Sequence, residues 1–174
     1  MLLCHCLTPN LILCPMTGET KAKVLTTLAE HLTTAHDLKS SKKVLDAIMA
    51  RERVGSTFLP IGVAVPHARY EGIEDVKMVL GVHPSGILEE FDGQPTRVHV
   101  VTLFLSPLAE ADFGRHLKLL AWISTIFHTR DRVAEVASAP NPQSVFALLQ
   151  RYEREAHEVQ NCALREDSLH PPRP

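Results

Sequence analysis

A chain of 174 residues is sized for one domain and can bury a substantial core of its own. With 45% hydrophobic residues, 22% charged residues and a formal charge of −2, it is too weakly charged to track a phosphate backbone, which excludes nucleic acid as an expected partner. No stretch approaches the roughly 20 uninterrupted apolar residues of a membrane-spanning helix, so direct membrane insertion is not expected either.

The opening run MLLCHCLTPNLILCPM is apolar but has no basic leading segment and is interrupted by Pro9 and Asn10. It is a poor secretory signal, and a cytoplasmic location is expected. The four cysteines are Cys4, Cys6, Cys14 and Cys162. That spacing is no disulfide framework in a chain of this size, and Cys4-His5-Cys6 with Cys14 does not complete a structural zinc set. Reduced thiols without a metal are the expectation.

Residues 11–13 have the look of a short strand. From Thr17 or Gly18 to about His36 the apolar residues Val24, Leu25, Leu28, Ala29, Leu32 and Ala35 recur at helical spacing, with Thr17 as a candidate cap. A second helix fits 41–53, with Val44, Leu45, Ile48 and Met49 inward, Ser40 or Ser41 as cap, and Gly55 beyond its end. Extended segments follow at 63–65, 76–82 and 98–105. The last of these, VHVVTLFL, is apolar enough for a central strand covered on both faces and lies between Asp92-Gly93 and Pro107.

From Asp112, a natural cap, to Phe127 the pattern is helical again, with Leu117, Leu120, Ile123 and Phe127 inward. A helical turn or two begin near Asp131, Pro140-Asn141-Pro142 breaks the pattern, and 143–152 closes it as a last helix. The polar tail 155–174, ending in HPPRP, is expected to be disordered, which leaves residues 1–154 as the folded unit. Helices and strands in this order predict a single α/β domain, a mixed β-sheet flanked by helices on its faces.

The chemistry gathers in RERVGSTFLPIGVAVPHAR, residues 51–69. Pro66 has a fixed φ and biases Val65 toward extended backbone, so the strand is held to its end and His67 stands on a stiff support. A neutral imidazole keeps one nitrogen lone pair free, and such a nitrogen can attack phosphorus. The dianionic product needs donors around it. Ser56 and Thr57 offer hydroxyls, Gly55 and Gly62 permit close backbone approach, and Arg53 or Arg69 can offer charge. His116 shares a helix face with Leu120, Ile123 and Phe127 and should point inward as a further donor. A single histidine is most often an ordinary satisfied residue, so it is the grouping that carries meaning.

SxxxxxGVAVPHAR resembles the phosphorylation-site signature of the enzyme IIA domains of the fructose/mannitol/nitrogen type in the bacterial phosphotransferase system. The similarity extends over roughly residues 8–153 through RERxGST, GVAVPH, FDGQPTRVHVVTLFLSP and HLKLLAWIS. It implies a mixed sheet flanked by helices and no cofactor. It further implies that His67 accepts a phosphoryl group from a histidine phosphocarrier protein, that His116 assists the phosphorylated site, and that Ser56, Thr57 and Arg53 support it. Onward partners would be a sugar-specific IIB component or a regulated transporter or kinase. The usual glycine-rich, asparagine-bearing loop is replaced here by Phe58-Leu59-Pro60-Ile61, which removes close-approach donors because Pro60 has no N–H.

Two functions follow. One is a phosphoryl relay through His67, of the stand-alone regulatory type because no IIB-like extension is present. The other is a regulatory binding module that keeps the fold without carrying phosphate. A metal-dependent hydrolase finds no support, since no His-x-x-x-His pair sits on a suitable helix.

Overall fold

The computed structural model describes residues 3–109 and 113–169. A short helix α1 (Leu3–Cys6) and a 3-10 turn (Pro9–Leu11) lead into β1 (Ile12–Leu13). Helix α2 (Lys21–Ala35) is capped by Thr20, whose hydroxyl accepts from the Lys23 N–H. It therefore begins later than Thr17 or Gly18. Gly18 has φ 138°, and its carbonyl accepts from His83 Nε2, which holds this stretch out of the helix. Helix α3 (Ser41–Glu52) starts from Ser40, the first of the two expected caps.

Next come β2 (Phe58–Leu59), β3 (Val63–Ala64) and β4 (His67–Tyr70), then two long strands, β5 (Lys77–Phe91) and β6 (Gln94–Pro107). The last two form one hairpin closed by Asp92-Gly93, with φ 49° and 75°. Two successive positive φ values twist a tight turn with the sense its flanking strands need, and Asp-Gly supplies them at low steric cost. Periodicity finds only the more apolar halves of these strands, because Ser85 to Arg97 is mostly polar and partly exposed, with Ile87 its one fully buried apolar side chain. A register shift between Val82 and Ile87 interrupts the ladder, and Gly86, at φ 69°, sits where a Cβ would lie 2.8 Å from the Arg97 side chain.

The sheet runs β1-β5-β6-β3-β2, with β4 continuing on the β3 side of β6. β1–β5, β3–β6 and β4–β6 are parallel, while β5–β6 and β2–β3 are antiparallel, so the mixed sheet is as expected. β6 lies at the centre, and from Val100 to Pro107 it is buried without a break, the signature of a strand covered on both faces.

Helices α4 (Phe113–Ile126), α5 (Arg130–Ala137) and α6 (Pro142–Leu169) complete the domain. On α4 the buried positions are His116, Leu119, Ile123 and Ile126, whereas Leu117, expected inward, is 49% exposed. A run such as LKLL fits two stripes a third of a turn apart, and only the neighbours decide between them. The expected cap Asp112 lies outside the described residues. α6 runs well past Tyr152 into the stretch expected to be disordered. Glu, Arg, Ala and Gln are strong helix formers, and the Arg151–Glu155 pair at i,i+4 supports the extension. Residues 170–174 lie outside the described residues. Among the described residues no helix is long and apolar enough to cross a membrane.

Candidate active site

The strand expected at 63–65 stops at Ala64, and a second strand in the same parallel register opens at His67. Pro66 lies between them, having no N–H to give the ladder, while its carbonyl accepts from Phe104 N–H at 3.1 Å. Beyond it β4 resumes the parallel pairing with His67 opposite Phe104. Thus His67 is the first residue of β4 and is held within the sheet, with its ring stacked on that of Phe104 at 5.3 Å and only 8% of the residue exposed.

Its hydrogen bonds assign its nitrogens. Nδ1 lies 2.7 Å from the Val65 carbonyl oxygen, and a carbonyl only accepts, so Nδ1 carries the proton. Nε2 then holds the lone pair and accepts from Arg51 Nε at 3.3 Å. Burial pushes the imidazole pKa below its usual value, and the Arg51 charge adds to this against the opposing Val65 bond and Glu52. The ring is neutral at pH 7, with its nucleophilic nitrogen defined. It opens on a cleft of about 260 Å³ whose polar wall includes Arg51, Ser56 and Thr57 and whose apolar wall includes Leu59, Ile61, Leu120 and Phe127.

His116 projects from the first turn of α4 to within 5.1 Å of the His67 ring, edge to face at 64°. It is 6% exposed, and its Nδ1 lies 2.8 Å from Ser106 Oγ. Burial, then the neighbouring His67, Arg69 and Arg51, lower its pKa to about 4. It is therefore neutral at pH 7 and can offer one N–H.

The two hydroxyls reach the cleft but point elsewhere. Ser56 Oγ donates to Glu52 Oε1 at 2.9 Å, and Thr57 donates to the same carboxylate through Oγ1 at 2.6 Å and through N–H at 3.0 Å. Lys21 Nζ lies 2.7 Å from Glu52 Oε1. Burial alone would push the Glu52 carboxyl up, but the donors from Lys21, then Thr57 and Ser56, outweigh it and hold the group below the usual carboxylate range.

Arg53 stands exposed at the C-cap of α3, and the guanidinium on His67 belongs to Arg51. Two residues turn a helix by about 200°, so these arginines face opposite ways. Position 51 continues the buried stripe Val44, Ile48, and counting along that stripe is the signal that singles out Arg51 and Glu52. Arg69 ties β4 to the end of β6 and the segment beyond it, through the carbonyls of Pro107 at 2.8 Å and Ala109 at 2.7 Å. Lys21, more than thirty residues from the loop it meets, has no local sequence signal. Cys6 and Cys14 are free, half-buried thiols, and among the described residues no group of three or more His, Cys, Asp or Glu is placed to hold a metal.

A mixed sheet with helices around it, carrying a neutral imidazole in a cleft, is the IIA type of α/β domain. The sequence matches the family described as the phosphoenolpyruvate-dependent sugar phosphotransferase system, EIIA 2, over residues 5–152, and the chain belongs to that family. Its role is that of a phosphoryl-carrier or regulatory domain. It is 28% identical over 144 residues to a nitrogen regulatory protein of Pseudomonas aeruginosa, covering 82% of this chain and 91% of that one. The crystal structure of nitrogen regulatory protein IIA-Ntr from Neisseria meningitidis superposes with a TM-score of 0.74 at 24% identity, covering 84% of this chain and 98% of that one. The Escherichia coli complex of enzyme IIA and phosphorylated enzyme IIB for mannitol gives 0.64 at 19% identity, with coverages of 83% and 96%. At these identities the solved structures speak to the fold.

Proposed function

We propose that His67 Nε2 accepts a phosphoryl group from a histidine phosphocarrier protein and that the group is then relayed or used as a signal. One observation carries this: the Nδ1–Val65 bond leaves the Nε2 lone pair as the ring's reactive end, beside the Arg51 guanidinium. The Nε2–P bond forms as the donor's N–P bond breaks, and the bonding pair returns to the donor nitrogen. The Nδ1 proton stays on its hydrogen bond to Val65, so no proton has to move. Arg51 turns from the lone pair to a phosphoryl oxygen, and charge-assisted contacts of this kind stabilise the developing dianion. If Ser106 donates to His116 Nδ1, the Nε2–H of His116 remains for a second oxygen.

Residues 1–154 form the working unit in this reading, acting in the cytoplasm. The match to a nitrogen regulatory protein, over 91% of that chain, supports the regulatory type, with a regulated transporter or kinase as target. The mannitol IIA–IIB complex supports a IIB component as the alternative onward acceptor.

A second reading, a binding module that carries no phosphate, is supported by the Ser56 and Thr57 hydroxyls being turned to Glu52 and by the apolar residues Leu59 and Ile61 in the cleft wall. Incubation with phosphocarrier, its charging enzyme and phosphoenolpyruvate separates the two. The relay requires an acid-labile, base-stable label that is absent from His67→Ala and forms about 10-fold more slowly in Arg51→Ala, in keeping with the loss of one charge-assisted contact. An unlabelled native protein selects the binding module.

A further inference from the structure

Beside the His67 cleft, three hydrogen-bond donors of Ser56 and Thr57, together with the Lys21 ammonium, converge on one carboxylate that the transfer step above does not use. Glu52 follows Arg51 at the end of α3, and its side chain is 7% exposed. Its carboxylate takes both hydroxyls and the Thr57 N–H, yet Ser56 and Thr57 also form the polar wall of the cleft onto which His67 opens. A carboxylate and a phosphoryl group make the same demand on these donors, since each is an anion that accepts short charge-assisted hydrogen bonds. Thr57 is tied to the site directly, because its carbonyl accepts from Val65 N–H and the Val65 carbonyl in turn holds Nδ1 of His67.

We propose that Glu52 is a positioning residue which occupies the Ser56 and Thr57 donors while His67 is unmodified, yields them to the phosphoryl group once it has formed, and by its remaining negative charge keeps that group readily transferable. This rests on His67 as the acceptor. Lys21 makes the exchange feasible. It contacts Glu52 at 2.7 Å, reaches Glu89 at 3.9 Å and lies over the Phe58 ring at 4.2 Å, so the carboxylate that releases its hydroxyls still has a cation and is not left as a bare buried charge. Among the described residues, the charged or titratable neighbours of the His67 ring are Arg51, Glu52 and His116, and of these only Glu52 is an anion that would repel the phosphoryl dianion.

The test charges the full-length protein with phosphoramidate, a small phosphoryl donor that needs no docking surface, and follows the N–P bond by phosphorus NMR and the His67 ring by nitrogen-resolved titration. Glu52→Gln keeps the shape and one acceptor but removes the charge. It should lengthen the phosphohistidine lifetime about 10-fold and move the His67 titration to lower pH, as loss of a nearby anion requires. Lys21→Met leaves the carboxylate less compensated and should shorten the lifetime. Simple damage to the loop would shorten both, so the opposite signs carry the proposal, and if Glu52→Gln fails to fold, Lys21→Met must shorten the lifetime while Lys21→Arg, which keeps the cation beside Glu52, restores it. Lifetimes within twofold of wild type in both variants, or a shorter one in Glu52→Gln, overturn the role of Glu52 and leave His67 as the acceptor. A wild-type protein that takes up no phosphoryl group on His67 overturns the acceptor reading itself.

Discussion

At the scale of single residues, the hydrogen-bond partners of two imidazoles decide what the site can do. His67 and His116 are both held neutral, chiefly by burial, so each should leave a pH signature in stability. A histidine whose folded pKa lies below its unfolded value of about 6.5 costs nothing above that pH. As pH falls below it, the unfolded chain takes up a proton that the native ring refuses, and stability declines until the folded pKa is reached. For His116 the window runs from about 6.5 down to about 4, with a slope of at most ~1.4 kcal/mol per pH unit. Denaturant titrations between pH 7.5 and 4.5 should therefore show a shallower decline in His116→Gln than in wild type. Equal slopes would mean that the ring titrates normally. His67→Gln should lose the phosphoryl label while its midpoint of thermal unfolding stays within about 5 °C of wild type, since the ring's contacts with Phe104 and His116 are lost but the glutamine amide can still bond the Val65 carbonyl and the β4–β6 ladder is unchanged. A collapse of the fold would make His67 structural.

At the scale of elements, the loop between α3 and β3 is the segment on which the sequence is least ordinary. Gly62 has φ 95°, and a Cβ there would lie 3.1 Å from the Arg97 carbonyl oxygen, while its own carbonyl accepts from His99 N–H at 2.8 Å. Alanine at this position would be strained by about 1–2 kcal/mol before the contact is counted. Gly62→Ala should lower stability by at least that much in denaturant unfolding and slow labelling, because the same turn sets the depth of the cleft. Unchanged stability would show that the loop relaxes freely. The Asp-Gly turn was legible for a local reason, its need for two positive φ values, whereas the polar halves of β5 and β6 gave no period to read. Arg51 was legible in principle from the α3 stripe, while reading the arginine nearest the hydroxyls led to Arg53 instead.

At the scale of the whole molecule, the central position of β6 assembles the site. β4 pairs along it to place His67, Ser106 near its end anchors His116 from α4, and α3 packs against β4 to deliver Arg51. None of these residues lies in the C-terminal part of α6, whose first half supplies the core residues Val145, Leu149 and Tyr152. Removing residues 159–174 should therefore leave near-ultraviolet circular dichroism and the labelling rate at His67 unchanged. A truncated chain that loses either would assign that stretch a part in the fold or the site.

The sequence by itself determined the α/β class, because apolar periodicity is a local property that survives without coordinates, while the family and the grouping of His67 with His116 came from the resemblance carried by GVAVPHAR and HLKLLAWIS. Only the tertiary structure decided which arginine meets the imidazole, which ring nitrogen stays free, and that the Ser56 and Thr57 hydroxyls face Glu52 and Lys21. Those are matters of direction and distance between elements far apart in the chain, and they are fixed by how α2, α3 and α4 pack around β4 and β6.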